Sequence, residues 1–341
     1  MTAPDGDWRL IREESRPGAT QMALDEVAAE TAGDGGPATI RTYRWDPSCL
    51  TLGYGQDPET VDWAACERAG VDVTRRQAGG GGISHDAAGD IAYSIAVPAA
   101  DVPGDLLDAY HLLCEPILDA FARLGIDADY VEDPVTELYH PACYLRELHP
   151  AHDIVADGRK IAGNAQYRTR DAVVQHGSVT FAVDAEAHLA AFDDPPVSPE
   201  RFRERVVGID ELADVDRAEV VRAVEASLVA WVEAGVESGE GGAGGSLTAV
   251  GVRAGAGDYL LVRVRDVLDV AHVVALVVEP PVHHVGVDPH PGVAEVGVVR
   301  DRQPTDVEQD LVAVGRELLS LARQGVGHGQ PHRRPVPRSR C

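Results

Sequence analysis

The chain has 341 residues, 44% of them apolar, and a formal net charge of −26 at pH 7. That length allows one large domain or two ordinary ones with ample core, and the negative balance excludes nucleic acid and anionic membrane as principal partners, since both would be repelled. Of the 30 basic residues only Lys160 is lysine, and an acidic chain almost free of lysine suits a halophilic cytoplasm, where molar salt shrinks the Debye length to roughly 3 Å.

The N-terminus, MTAPDGDWRLIREESRPG, is polar and lacks an apolar export core, so a cytoplasmic location is expected. No apolar run approaches the ~20 residues of a membrane span. Helical spacing then appears at Thr20–Ala32, Pro58–Gly70, Asp105–Leu124 and Asp216–Glu233. Strand-like runs occupy Thr39–Arg44, Val71–Arg76, Ile91–Val97, Ala151–Ala156, Lys160–Tyr167 and Ala172–Ala182. Several neighbouring strands join through short loops without an intervening helix. This predicts an α/β fold of the α+β kind, a mixed and largely antiparallel sheet with helices packed on it.

The acidity ends abruptly. Residues 1–238 carry 44 Asp and Glu against 19 Lys and Arg, whereas residues 239–341 carry 12 against 11. The change falls at a glycine-rich stretch, Glu237–Gly245 (ESGEGGAGG), which reads as a linker. Two regions are therefore expected, 1–238 and 239–341. The second is either a divergent accessory domain or an aberrant reading, and its Val, His and Arg bias fits the latter better. Its His283, His284 and His290 hint at a metal without an ordered ligand pattern. The five cysteines show no CxxC spacing and read as reduced thiols. Cys49, Cys66 and Cys114 fall on predicted core elements; Cys143 falls in a loop.

Two segments carry chemistry. In the first, Arg75-Arg76-Gln77-Ala78-Gly79-Gly80-Gly81-Gly82-Ile83-Ser84-His85-Asp86, four glycines follow a strand, so the backbone can approach a ligand and turn N–H groups on an oxyanion. Arg75 and Arg76 can offer forked donors to a phosphate or carboxylate. Neither a Walker A loop nor a GxGxxG dinucleotide loop is present. In the second, Asp157-Gly158-Arg159-Lys160-Ile161-Ala162-Gly163-Asn164-Ala165-Gln166, a DG turn predicts a hairpin with Lys160 at the start of its second strand. A lysine there is ordinarily a solvated edge charge. As the sole lysine it is instead a candidate for stabilising charge on an acyl, carboxylate or phosphate oxygen.

With Met22–Glu26 (MALDE), Leu52–Gln56 (LGYGQ) and Gln175–Ser178 (QHGS), these segments resemble the lipoate-protein ligase and octanoyltransferase superfamily, over roughly residues 8–235. The resemblance implies the biotin/lipoate protein ligase-like catalytic fold for 1–238 and the acylation of a lysine on a lipoyl domain of a 2-oxoacid dehydrogenase complex or on the glycine-cleavage H protein. It also implies that Arg75, Arg76, Gly79, Gly80, Gly81, His85, Asp86, Gly163, Ala165 and His176 bind substrate or ATP, with Lys160 holding the activated acyl carboxyl. Two chemistries remain open. A lipoate-protein ligase would activate free lipoate or octanoate with ATP and Mg²⁺ as an acyl-adenylate, the reading favoured here because, if the halophile is an archaeon, acyl carrier protein is not an expected donor. An octanoyltransferase would instead carry the acyl group on Cys143, which lies shortly before the GRK segment and near Arg146, His149 and Lys160. A non-catalytic lipoyl-carrier binding protein is the third possibility.

Overall fold

The computed structural model describes residues 2–238 and, beyond them, only the backbone of short strands at Leu247–Ala249, Arg253–Ala254, Tyr259–Arg265, Ala271–Val277 and Gly297–Val299. The histidines 283, 284 and 290 lie outside the described residues, as does most of the region expected at 239–341.

The elements run β1 (Trp8–Arg16), α1 (Gly18–Gly33), β2 (Ala38–Trp45), β3 (Cys49–Leu52), α2 (Trp63–Ala69), β4 (Asp72–Arg75), β5 (Ile83–His85), β6 (Asp90–Pro98), α3 (Leu106–Arg123), β7 (Ala128–Tyr130), β8 (Asp153–Ala156), β9 (Arg159–Arg168), β10 (Ala172–Thr180), α4 (Ala185–Ala190), α5 (Pro199–Arg203), α6 (Ile209–Leu212), α7 (Arg217–Ser238) and β11 (Leu247–Ala249). The large sheet has the order β11-β1-β2-β6-β10-β9-β8-β7. Its β11-β1 and β1-β2 pairings are parallel and the rest antiparallel. A smaller sheet, β4-β3-β5, pairs β3 in parallel with β4 and antiparallel with β5. The expected mixed, largely antiparallel sheet with packed helices is what the chain forms. One strand from beyond the glycine-rich stretch, β11, also joins it.

Alternation along β6 explains the layering. Ile91, Tyr93, Ile95 and Val97 face the main core, where they meet Leu113, Ile117 and Phe121 of α3 and Val224, Leu228 and Trp231 of α7. The intervening Ala92 and Ala96 are small and cluster with Met22 and with Ala28 and Ala29 of α1 on the other face. Each large side chain buried in the main core contributes on the order of 1.5–3 kcal/mol. A second core, with Leu50, Leu52, Ile83, Tyr144, Phe192 and Phe202, fills the space around the small sheet.

Local signals set several element ends. Asp105 caps α3 by accepting from the Leu107 and Asp108 amides at 2.9 and 3.2 Å. The helix expected over Pro58–Gly70 is divided, with a single 3₁₀ turn at Pro58–Thr60 and α2 starting only at Trp63. The reason is tertiary. The Val61 backbone bridges to Phe192, the Asp62 amide donates to the Ala191 carbonyl at 3.1 Å, and the Asp62 carboxylate restarts the helix by capping Ala65. No helix among the described residues is long and apolar enough to cross a membrane.

Candidate active site

The DG turn forms as the sequence predicts. Asp157 and Gly158 both have positive φ, 51° and 70°, so the hairpin β8–β9 closes through a two-residue turn that suits the sheet's twist. Lys160, the second residue of β9, turns inward and is 2% exposed. Its Nζ lies 2.6 Å from Oδ1 of Asp153 on β8, 3.5 Å from the Cys143 carbonyl and 3.9 Å from Cys143 Sγ. The side chain runs across Gly163. A Cβ there would stand 2.9 Å from Lys160 Cε and 3.1 Å from Nζ, which accounts physically for glycine three residues after the lysine.

The Asp153–Lys160 pair is buried on both sides, Asp153 being 1% exposed. Burial alone would raise the Asp153 pKa, but the Lys160 charge and then His152, whose Nδ1 is 3.3 Å away, hold the carboxyl well below its usual range. Burial alone would likewise lower Lys160, but Asp153, and after it Cys143, raise the ammonium above its ordinary pKa. The pairing with Asp153 favours the ammonium form of Lys160.

Cys143 reaches this cation because its segment is laced to the glycine loop. Gly82 N donates to the Pro141 carbonyl at 2.5 Å, and Cys143 N donates to the Gly82 carbonyl at 2.6 Å. At Gly81 a Cβ would press on the Pro141 carbonyl at 2.9 Å and the Cys143 amide at 3.0 Å. Gly80 has φ +98°, open only to glycine at low cost. On the far side the Tyr144 hydroxyl bonds Ser178 and Thr180 of β10, each at 2.9 Å, and its ring lies 5.3 Å from Lys160 Nζ. Cys143 itself stays half-buried.

Arg75 and Arg76 serve the loop. Arg76 is buried, and its Nη1 donates to Thr51 O and Oγ1 while its Nη2 donates to the Gly79 and Gly81 carbonyls, both at 2.7 Å. Arg75 Nη1 donates to the Gly53 and Tyr54 carbonyls at 2.6 and 2.8 Å. Both head nitrogens of Arg76 and Nη1 of Arg75, which the sequence offers to a phosphate, thus bond mainly to backbone carbonyls.

A narrow cleft beside Cys143 gathers Arg76, His85, Gly163, Ala165 and His176, along with Met22, Tyr43 and Trp45, which the sequence reading had not singled out for the site. His85 is fully engaged: Nδ1 meets Asp90 at 2.6 Å, Nε2 meets Thr51 Oγ1 at 3.0 Å, and the ring stacks on Trp45 at 4.1 Å. Burial, opposed by Asp90, lowers its pKa. His176 differs. Its Nδ1 lies 3.2 Å from Asp25, while its Nε2 is buried and has no hydrogen-bond partner. Burial would raise the Asp25 pKa, but Arg41 at 2.6 Å, then His176, and Ser94 at 2.7 Å, hold it low. Asp86 stands apart. Its carboxylate closes a turn by accepting from Ala88 and Gly89, and it lines a separate cavity of about 480 Å³ with Cys66, His188 and Phe202. Cys49, Cys66 and Cys114 are buried, and burial pushes up the pKa of each thiol. Asp153 was not legible as a site residue, because a bulge in the β8–β9 register decides which β8 side chain meets Lys160.

The buried Lys–Asp pair lies beside a loop thiol, so a fixed charge and a nucleophile share one site, and comparison with known proteins places the chain in a family of acyl-handling enzymes. The model of the lipoyl protein ligase A/B catalytic domain matches residues 17–229, and the chain belongs to that family. Its relatives include the octanoyltransferase LipM of Halalkalibacterium halodurans, 34% identical over 226 residues that cover 61% of this chain and 80% of the relative. The octanoyltransferase LipM of Bacillus subtilis is 33% identical, covering 58% and 73%. In fold, the chain is similar to a lipoate-protein ligase A solved with ATP, at TM-score 0.57 and 22% identity over 73% of this chain and 90% of that one. A bipartite lipoate protein ligase of Thermoplasma acidophilum, solved in a study of its lipoylation system and E2 lipoyl domain, aligns at TM-score 0.55 and 21% identity, covering 73% and 88%.

Proposed function

We propose that this protein is an octanoyltransferase that takes an octanoyl group from the thioester of an acyl carrier protein onto Cys143 and passes it to a lysine of a lipoyl domain or H protein. The observation that carries this reading is the 3.9 Å approach of Lys160 Nζ to Cys143 Sγ. The names of the relatives support it, and so does the engagement of Arg76 by the loop carbonyls. The ligase route through ATP and Mg²⁺, favoured by the sequence alone, gives way to it.

The residues divide the work as follows. The Cys143 thiolate attacks the donor carbonyl, the C–S bond to the carrier breaks, and the carrier leaves as a thiolate that takes up the proton Cys143 gave up. Lys160 holds positive charge where the thiolate and then the oxyanion develop, which an ammonium held by Asp153 does without reorganising. In the second half, the acceptor amine loses a proton to the free Nε2 of His176 and attacks the Cys143 thioester. The C–S bond breaks and Cys143 is regenerated. Met22, Tyr43 and Trp45 offer the acyl chain an apolar wall. Acceptance by lipoyl domains would place this transferase in the cytoplasm.

The test uses octanoyl-loaded carrier protein without ATP. Intact mass should show a hydroxylamine-labile octanoyl group on the wild type, discharged on adding lipoyl domain, and none on Cys143→Ser. Lipoyl-domain acylation by Cys143→Ser from free octanoate, dependent on ATP, would restore the ligase reading.

A further inference from the structure

The transferase reading creates a problem that the structure also answers. An acyl group carried on Cys143 sits beside an amine of the enzyme itself, Lys160 Nζ, at 3.9 Å from the sulfur. Attack on an acyl carbon needs a separation of roughly 3–3.5 Å, and the acyl carbon would be bonded directly to that sulfur. A free amine there would capture the acyl group. The N–C amide bond would form, the C–S bond would break, the amine proton would pass to the departing thiolate, and the enzyme would be left with an amide it cannot discharge.

We infer that Asp153 guards against this self-acylation by holding Lys160 as an ammonium, which has no lone pair for attack, and that it is a positioning residue for the transfer reaction. The inference rests on the transferase reading above. Asp153 Oδ1 lies 2.6 Å from Nζ, and both side chains are almost wholly buried. The carboxylate is itself held in place, since its Oδ2 accepts from the His149 amide at 2.8 Å and faces His152 Nδ1 at 3.3 Å. The other groups around the ammonium cannot replace it. Tyr144 presents its ring face, Gly163 presents no side chain, Arg205 acts on Lys160 as a like charge, and Cys143, which favours the ammonium as a thiolate, carries no charge once acylated. Without Asp153 a buried ammonium loses its counter-charge, and desolvation favours the neutral, nucleophilic amine. The site thus requires a cation for catalysis and a carboxylate to keep that cation unreactive. Every other basic side chain is arginine, so Lys160 is the sole lysine at which such an adduct can form.

Wild type, Asp153→Asn and the apolar near-isostere Asp153→Leu are each incubated with octanoyl-pantetheine and no acceptor, treated with hydroxylamine, and mapped by peptide mass. Hydroxylamine removes thioesters and leaves amides. The wild type should lose its octanoyl group, whereas both variants should retain one on the peptide bearing Lys160. That adduct should form at least ~10-fold faster than in wild type, the change in free amine that one pKa unit brings. The double variant Asp153→Asn/Lys160→Arg should carry none. Variants that load Cys143 but never acylate Lys160 overturn the inference, as does a wild type that acylates Lys160 at the same rate. A wild type that forms no hydroxylamine-labile adduct overturns the transferase reading itself, a distinct result. The two variants differ in polarity, so a folding defect in one leaves the other as the test.

Discussion

Lys160 is asked to be positive, buried and close to a thiol, and each demand is met by one neighbour: Asp153 for the charge, Gly163 for the path and the Gly82–Cys143 pairing for the distance. Arginine keeps the charge but brings a wide planar head that cannot occupy the space of an ammonium. Lys160→Arg should slow loading of Cys143 by about 100-fold or more, comparable to losing one oxyanion donor. Single-turnover loading near the wild-type rate would remove Lys160 from the mechanism. His188 gives a second prediction. It lies among Tyr144, Phe192 and Phe202 with Nε2 unpartnered, and burial, then the charges of His85 and Lys160, push its pKa down to about 3. The unfolded chain binds that proton near pH 6.5 and the folded one does not, so stability falls as pH drops from about 6.5 towards 3. Between pH 6.5 and 5 the loss is about 1.6 kcal/mol, or roughly 3–7 °C in Tm. His188→Phe should flatten that slope relative to wild type, and thermal melts across the interval would show whether it does.

At the scale of elements, the site is a junction of three pieces: the β8–β9 hairpin, the glycine loop after β4, and the 139–146 segment that Tyr144 pins to β10. Positions within it tolerate little. Gly81→Ala would push the Pro141 carbonyl and Cys143 amide away from contacts already at 2.9 and 3.0 Å. Since misplacing a reacting group by ~1 Å can cost on the order of 100-fold, loading of Cys143 should fall to that extent while the melting temperature changes by only a few degrees. Equal activity in this variant would show that the segment repositions freely. The hairpin was legible in advance because a DG pair predisposes two successive positive φ values. The interruption at Val61 was not, because its cause is the backbone of Phe192, far away in sequence.

For the whole molecule, charge is the dominant property. With 44 acidic against 19 basic residues in 1–238, self-repulsion should be strong in dilute buffer and weak once the Debye length falls from ~10 Å at 0.1 M to ~3 Å at 1 M salt. We propose that this region is the catalytic domain and that it is adapted to high salt. A chain ending at residue 250, which keeps β11, should unfold cooperatively with a Tm that climbs by several degrees or more from 0.1 to 1 M KCl. A Tm that is flat or falls over that range would refute the adaptation.

Local chemistry written in contiguous residues was readable without a structure. The glycine run, the DG turn, the single lysine and the apolar run of β6 each depend on neighbours a few positions away. The resemblance built on them held at the level of family and fold. Strand β1 was missed because WRLIREESR reads as a charged stretch. Arg16 and Glu14 pair within the strand, but Arg12 and Glu13 find their partners only when α7 supplies Glu225 and Arg217. The same physics divided the site. Whether Arg76 faces a phosphate or its own loop depends on which carbonyls the fold brings within hydrogen-bond reach, and four acceptors arrived. Whether Lys160 meets a thiol or solvent depends on a β-bulge and on a segment seventeen residues upstream. Composition and spacing could nominate these side chains, but charge pairing in a buried site is set by distance in space, and only the tertiary structure placed Asp153, Lys160 and Cys143 together.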